Sequence, residues 1–234
     1  MRCLGAWVLG CLGALVLCAG SAAFAQNAEA PALRKHRVTA SGGVTWSGSY
    51  PIGEATATYR TNAPGNTPPP FTLFSAASTV DAVAGIEGRV GFTVTPDLAV
   101  EAGVSFARPR VGIVIASDAE VAPHALEGEE LQQYIVDAGA VWQLPLRLSG
   151  RVRPFVTGGA GYLRQLHQER TLVETGQVYY AGGGLRYWLR GGSGATRSFG
   201  LRADARAMWK RDGVDFEDRT RLFPVVSVFA FMGF

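Results

Sequence analysis

Cysteine is confined to one end of this chain. Cys3, Cys11 and Cys18 all lie within the first eighteen residues, so everything beyond them lacks a thiol. That excludes disulfides, thiol catalysis and cysteine-ligated metals from the remainder. Charge is sparse as well: Asp, Glu, Lys and Arg make up 18% of the 234 residues and the formal net charge is only +3. Basic residues are scattered singly, with no polybasic run, so nucleic acid is not an expected partner. Histidine occurs three times, as His36, His124 and His167. No H-x-x-x-H or carboxylate spacing accompanies them, so no metal site is expected. Each falls in a predicted tail or loop, where a solvated side chain is expected. Beyond the N-terminal segment no run of 18 apolar residues occurs, which removes a membrane-spanning helix.

What is present begins with "MRCLGAWVLGCLGALVLCAGSAAFAQ". Arg2 supplies a positive start, Leu4 to Leu17 an apolar core, and Ala23-Phe24-Ala25 a small-x-small cleavage site. The expectation is a secretory signal peptide over residues 1–25, a flexible lead-in over 26–36 and one domain over 37–234. Leu17 stands where lipoprotein processing at Cys18 would require a small residue.

Past the lead-in, apolar and polar residues alternate strictly. Val38, Ala40, Val44, Trp46 and Tyr50 occupy even positions, with Thr39, Ser41, Thr45 and Ser47 between them. Period two means a strand with one apolar and one polar face. The pattern predicts eight strands, near 38–50, 80–94, 98–106, 131–144, 152–164, 177–189, 199–210 and 222–234. The glycines of the fifth (Gly158, Gly159, Gly161) leave its facing open. Long connections (51–79, 107–130) alternate at first with short ones (95–97, 145–151). Transmembrane barrels have long outer loops and short periplasmic turns, and a soluble sandwich has no reason to sort its loops so. Aromatics gather near strand ends. One rim would collect Tyr50, Phe106, Tyr134, Tyr162, Tyr179, Trp209 and Phe223, the other Phe92, Trp142, Phe155, Tyr187, Phe199 and Phe234.

These features resemble the small eight-stranded outer-membrane barrels, the class of the OmpA membrane domain, OmpX and OmpW. The resemblance rests on the leader, the alternating strands, the stretch "RPFVTGGAGY" (Arg153 to Tyr162), and the ending "VVSVFAFMGF". Ala230 and Met232 are spaced behind the terminal Phe234 there. The resemblance implies that this ending is the signal read by the barrel-assembly machinery.

The expected fold is therefore all-β: a closed, antiparallel, up-and-down transmembrane β-barrel in the cell outer membrane, with membrane lipid as its first partner. Its polar face would point inward, making an interior charge network of Asp81, Glu87, Arg89, Glu101, Asp137, Arg186, Arg202, Asp204 and Arg206. Unpaired buried charge is costly, so these groups should pair. The expected role is structural or surface-interacting and non-enzymatic, with the network as a plug, no cofactor, and a loop ligand that composition does not name. A narrow channel or small-solute transporter is a second reading, and a soluble lipocalin-like periplasmic binder a third. No catalytic set appears. The His-x-Ser pair of the barrel lipid A deacylases is absent, and "GGGLRY" (Gly182 to Tyr187) lacks the Lys-Ser/Thr ending and following helix of a phosphate loop.

Overall fold

A computed structural model describes residues 38–59, 71–116, 124–126, 128–146, 150–167, 172–190, 198–217 and 219–234. The expected signal peptide and lead-in lie outside the described residues. Among the described residues there are twelve strands: β1 (Val38–Ser47), β2 (Tyr50–Tyr59), β3 (Phe71–Val80), β4 (Val83–Thr93), β5 (Leu98–Ala107), β6 (Val111–Ala116), β7 (His124–Leu126), β8 (Gln132–Gln143), β9 (Val152–Leu166), β10 (Val173–Arg190), β11 (Ser198–Asp212) and β12 (Arg221–Gly233). Eight of them close a barrel in the order β1-β12-β11-β10-β9-β8-β5-β4, antiparallel throughout. β1 seals it, pairing Val44 with Val228 of β12 on one side and with Ile86 of β4 on the other. No helix among the described residues is long and apolar enough to cross a membrane. The strands cross instead, and closure leaves the barrel wall no unpaired edge.

The remaining four strands correct the reading of residues 51–79 and 107–130 as loops. They form a second sheet, β2-β3-β6-β7, which continues the wall beyond the long-connection end of the barrel. On the opposite side, β9, β10 and β11 simply run longer, at 15, 18 and 15 residues. A spanning strand needs about 9–11 residues, so these three also project past the membrane. The loop after β11 ties the two halves together. Phe216 donates its N–H to the Ile52 carbonyl (2.8 Å), and the Glu54 N–H donates to Glu217 Oε1 (3.2 Å). That loop leaves β11 through Asp212 and Gly213, both left-handed at φ 63° and 79°, a conformation that glycine and Asp tolerate best.

At the other end lie the chain terminus and the tight Thr95-Pro96-Asp97 turn, where the Val94 and Thr95 N–H groups share the Leu98 carbonyl and the Thr95 hydroxyl accepts from the Leu98 N–H. Short turns mark the periplasmic side and the projecting sheet the outer side.

Facing follows the pleat. Val44, Ile86, Val90, Val100, Val104, Val136, Leu201, Val226 and Val228 are exposed on the outer wall. β9, whose facing the glycines left open, turns its odd positions inward: Phe155, Thr157, Leu163 and Gln165 are buried while Val156 and Tyr162 are exposed. This is a globular protein turned inside out, with apolar residues on the wall and charge in the middle.

Candidate functional site

Eight ionisable side chains from five strands meet inside the barrel. They form one line of alternating sign: Asp137, Arg89, Glu87, Arg206, Asp204, Arg202, Glu101, Arg186. Arg89 donates from Nη2 to both carboxylate oxygens of Asp137 (3.0 and 3.1 Å) and from Nε to Glu87. Arg206 forks onto Glu87 and donates from Nη2 to the Ser227 hydroxyl (2.7 Å). Asp204 sits between two arginines, 2.9 Å from Arg202 Nε and 3.2 Å from Arg206 Nε. Arg202 forks onto Glu101, which Arg186 also reaches. Every member is at most 5% exposed. Charges so deeply buried persist only when paired and hydrogen-bonded, and four carboxylates against four guanidiniums balance to zero.

Asp81 corrects the predicted set. It is exposed, at the break between β3 and β4, and the pleat that carries Glu87 and Arg89 inward starts only at Val83. Its N–H donates to the Arg110 carbonyl, outside the barrel lumen.

Neutral groups complete the network. The Tyr180 hydroxyl donates to Asp137 (2.9 Å), and the Ser227 hydroxyl lies 3.0 Å from both Glu87 and Thr45. Aromatic faces cover the guanidiniums: Arg202 stands 4.6 Å over Phe155, and Arg89 and Arg206 each 5.7 Å from the Tyr180 ring. Glycine makes the room. A Cβ on Gly103 would stand 2.9 Å from Asp137 Oδ2 and 3.1 Å from Arg89 Cζ, and one on Gly159 would meet the Tyr180 hydroxyl at 2.7 Å.

Along the strands the network has a lid on each side. Toward the periplasmic end, β9 and β12 bury Phe155, Phe229 and Phe231, with Trp188 edge-on to Phe231 at 4.6 Å. Toward the outer end, Tyr50 stacks on Phe223 (4.8 Å) among Ile52, Leu131, Leu163, Met208 and Val214. Three of the aromatics assigned to the rims, Tyr50, Phe155 and Phe223, are thus interior residues. Tyr134, Tyr162, Tyr179 and Trp209 do face out near one end, and Phe92, Trp142, Tyr187, Phe199 and Phe234 near the other.

The outer lid holds buried polar groups outside the predicted charge set. Lys210 is 1% exposed and donates to the Val214 carbonyl (2.6 Å), with its Nζ 5.1 Å from the Tyr50 ring. Gln165 is fully buried, donating to Gln133 (2.9 Å) and accepting from the Val214 N–H (3.0 Å). In the loop above, Arg221 forks onto Asp215 and reaches Glu217. Burial pushes the Asp215 carboxyl up, but the Arg221 fork and the Glu217 N–H outweigh it and hold it below the usual carboxylate range. Glu217 is held low first by the Glu54 N–H and then by Arg221.

His36 lies outside the described residues, and the side chain of His124 is not described. His167 is not the solvated residue expected. It is half-buried, with Nδ1 2.8 Å from Glu129 and Nε2 3.6 Å from Glu174. No group of three metal-ligating side chains occurs among the described residues. The residues expected to carry an assembly signal, Ala230, Met232 and Phe234, lie on β12 and just beyond its end. Ala230 and Phe234 are exposed and Met232 is half-buried, and the Phe234 N–H donates to Val38 at the β1–β12 seam.

The sequence matches no protein-family profile and no curated protein. Among solved structures the chain is similar to Ail, the attachment invasion locus protein of Yersinia pestis, at 12% identity over 85% of this chain and 99% of that one, with a TM-score of 0.40. It is similar to the outer membrane protein OprG from Pseudomonas aeruginosa at 11% over 86% and 96%, with a TM-score of 0.43. It is also similar to the outer membrane protease OmpT from Escherichia coli at 7% over 84% and 96%, with a TM-score of 0.36. A shared barrel does not carry activity across. What the geometry itself establishes is a closed ladder, an apolar outer wall flanked by aromatics at both ends, and a charge-filled lumen. The chain is a closed, antiparallel transmembrane β-barrel of eight strands.

Proposed function

We propose that this protein is a non-conducting, non-enzymatic barrel that holds a rigid sheet above the outer membrane as an interaction surface. The observation that carries the reading is the filled lumen: a balanced eight-member charge line closed by phenylalanines on one side and by the Tyr50–Phe223 layer on the other. Eight strands enclose a space that side chains can fill, and here they fill it. The interior then works as a fastener. Its ion pairs join β4, β5, β8, β10 and β11 across the lumen and fix the wall that the outer sheet extends.

The sheet is the part able to meet another molecule. β2 and β3 pair through Glu54–Ala77 and Thr56–Ser75, and β3 hands on to β6 through Ser78–Ile113. Loops on a rigid scaffold are where binding concentrates, and these are built as strands. The second partner in this reading is the assembly machinery, which would engage Ala230, Met232 and Phe234 at the seam strand.

Planar-bilayer recording tests the reading. The purified barrel should give no conductance steps at neutral pH. Regular single-channel openings would replace the fastener with a gated narrow path.

A further inference from the structure

One groove lies on the outside of the barrel, on the wall that faces lipid. Tyr134 and Val136 of β8 and Tyr162, Arg164 and Leu166 of β9 line about 450 Å³. The register explains its shape. Tyr134 stands opposite Arg164 and Val136 opposite Tyr162, so two tyrosine rings border a valine floor. Arg164 stands in the outer half of the groove, with Leu166 beyond it.

A charge on the lipid face costs about 2–4 kcal/mol at mid-membrane and about 0–1 near the interface. The position of Arg164, level with the outer aromatic belt, makes it tolerable but does not give it a counterion. Among the described residues no carboxylate pairs with Arg164. The neighbouring outward positions on β10, Thr175 and Gln177, are uncharged. Gln177 stands opposite Tyr162 and accepts from the Tyr179 hydroxyl (2.8 Å), which leaves its amide NH₂ as a second donor beside the groove. An outward guanidinium, an adjacent amide donor and an apolar trough running below them form a two-part site.

We infer that this groove binds a phosphate-bearing lipid of the outer leaflet, with an acyl chain between Tyr134 and Tyr162 and the phosphate on Arg164. A guanidinium matches phosphate in a bidentate fork, and the trough runs toward mid-membrane as an acyl chain does. The inference rests on the barrel's seating in the membrane, but not on the lumen being closed.

The test uses the full mature barrel in phosphatidylcholine nanodiscs doped with increasing diphosphoryl lipid A, with retained lipid A counted by native mass spectrometry. The wild type should retain it at low mole fraction. Arg164→Gln should raise the half-saturating fraction about tenfold, the equivalent of one charge-assisted hydrogen bond. Tyr162→Ala should raise it through the trough alone, and Arg151→Gln, at the periplasmic turn, should leave it unchanged. Dephosphorylated lipid A should bind wild type and Arg164→Gln equally. Equal retention of diphosphoryl lipid A by Arg164→Gln and wild type would overturn the site while leaving the barrel intact. Displacement by millimolar inorganic phosphate would show an anion site with no lipid component and overturn the assignment. Failure of the wild type to enter nanodiscs would overturn the membrane reading itself. A heat-shift gel establishes that each variant is folded before it is titrated.

Discussion

Asp204 is the middle carboxylate of the charge line, and its removal is the sharpest test of how the barrel is held together. Its side chain is fully buried between Arg202 and Arg206. In Asp204→Ala each arginine keeps one forked carboxylate, Glu101 or Glu87. The line then carries four guanidiniums against three carboxylates, and one positive charge inside the barrel is uncompensated. Breaking a buried pair from one side costs about 3–5 kcal/mol. The loss includes one charged hydrogen bond, from Arg202 Nε, at about 1.5–3 kcal/mol, and the 3.2 Å ion pair with Arg206 Nε. Urea unfolding in phospholipid vesicles, followed by tryptophan fluorescence and the heat-shift gel, should read a loss of that size. Asp204→Asn keeps the shape and should lose less. Combining Asp204→Ala with Arg206→Met restores three against three and should recover part of the loss, so the cycle between the two positions is non-additive. A loss in Asp204→Ala below about 1 kcal/mol, the range of exposed ion pairs, would refute the claim that the interior is a dry, interdependent network.

Three further outcomes follow from the same geometry. Gly103→Ala should cost about 1–3 kcal/mol by overpacking, because its methyl would press on Asp137 and Arg89; Gly42→Ala, whose Cβ meets nothing within 4 Å on the outer wall, is the control that should stay neutral in the same unfolding assay. Asp215 contributes to the docking of the outer loop only while ionised. Its folded pKa is depressed, so the contribution is present above the unfolded value near 3.9 and is lost as pH falls through the lower folded value. Hydrogen-exchange protection of the Phe216 amide should therefore hold at neutral pH and fall on acidification below about pH 4, and Asp215→Asn should remove that dependence. Deleting Phe234 should lower the heat-shiftable fraction in cells while barely changing refolding of the purified chain into detergent, which separates recognition during assembly from stability. Equal losses in both assays would make Phe234 a structural residue.

Period two carried the wall because one face of every barrel strand meets lipid, and the sequence must write that contrast into each strand. It also placed eight of the nine proposed interior charges on the inward face, since a single parity runs through each strand. Asp81 departs because the chain breaks its pleat at residues 81–82, and alternation in the letters continues across a break the backbone does not honour. The outer sheet was illegible for the opposite reason. β2 reads YPIGEATATY; only Tyr50, Ile52 and Gly53 at its base are buried and from Glu54 on it is largely exposed on both faces, so no continuous apolar face marks it as a strand. Its Thr, Ala and Tyr residues say only that a strand is permitted.

The interior aromatics expose a different limit. Tyr50, Phe155 and Phe223 lie near strand ends, where a belt is expected, yet the lumen needs closing at those same levels. Position along the strand cannot separate the two uses, but parity can. Phe155 shares its parity with Thr157 and Leu163, and Phe223 shares its parity with Ser227 and Phe229, all buried. The same rule run outward along β11 from Arg202, Asp204 and Arg206 reaches Met208 and Lys210, both inside. A lysine at the end of an inward charge series is therefore readable as part of the lid. Its ammonium is held by the Val214 carbonyl and the Tyr50 ring instead of by a carboxylate. The inward series thus ends in a residue that grips the outer loop itself, through the Val214 carbonyl.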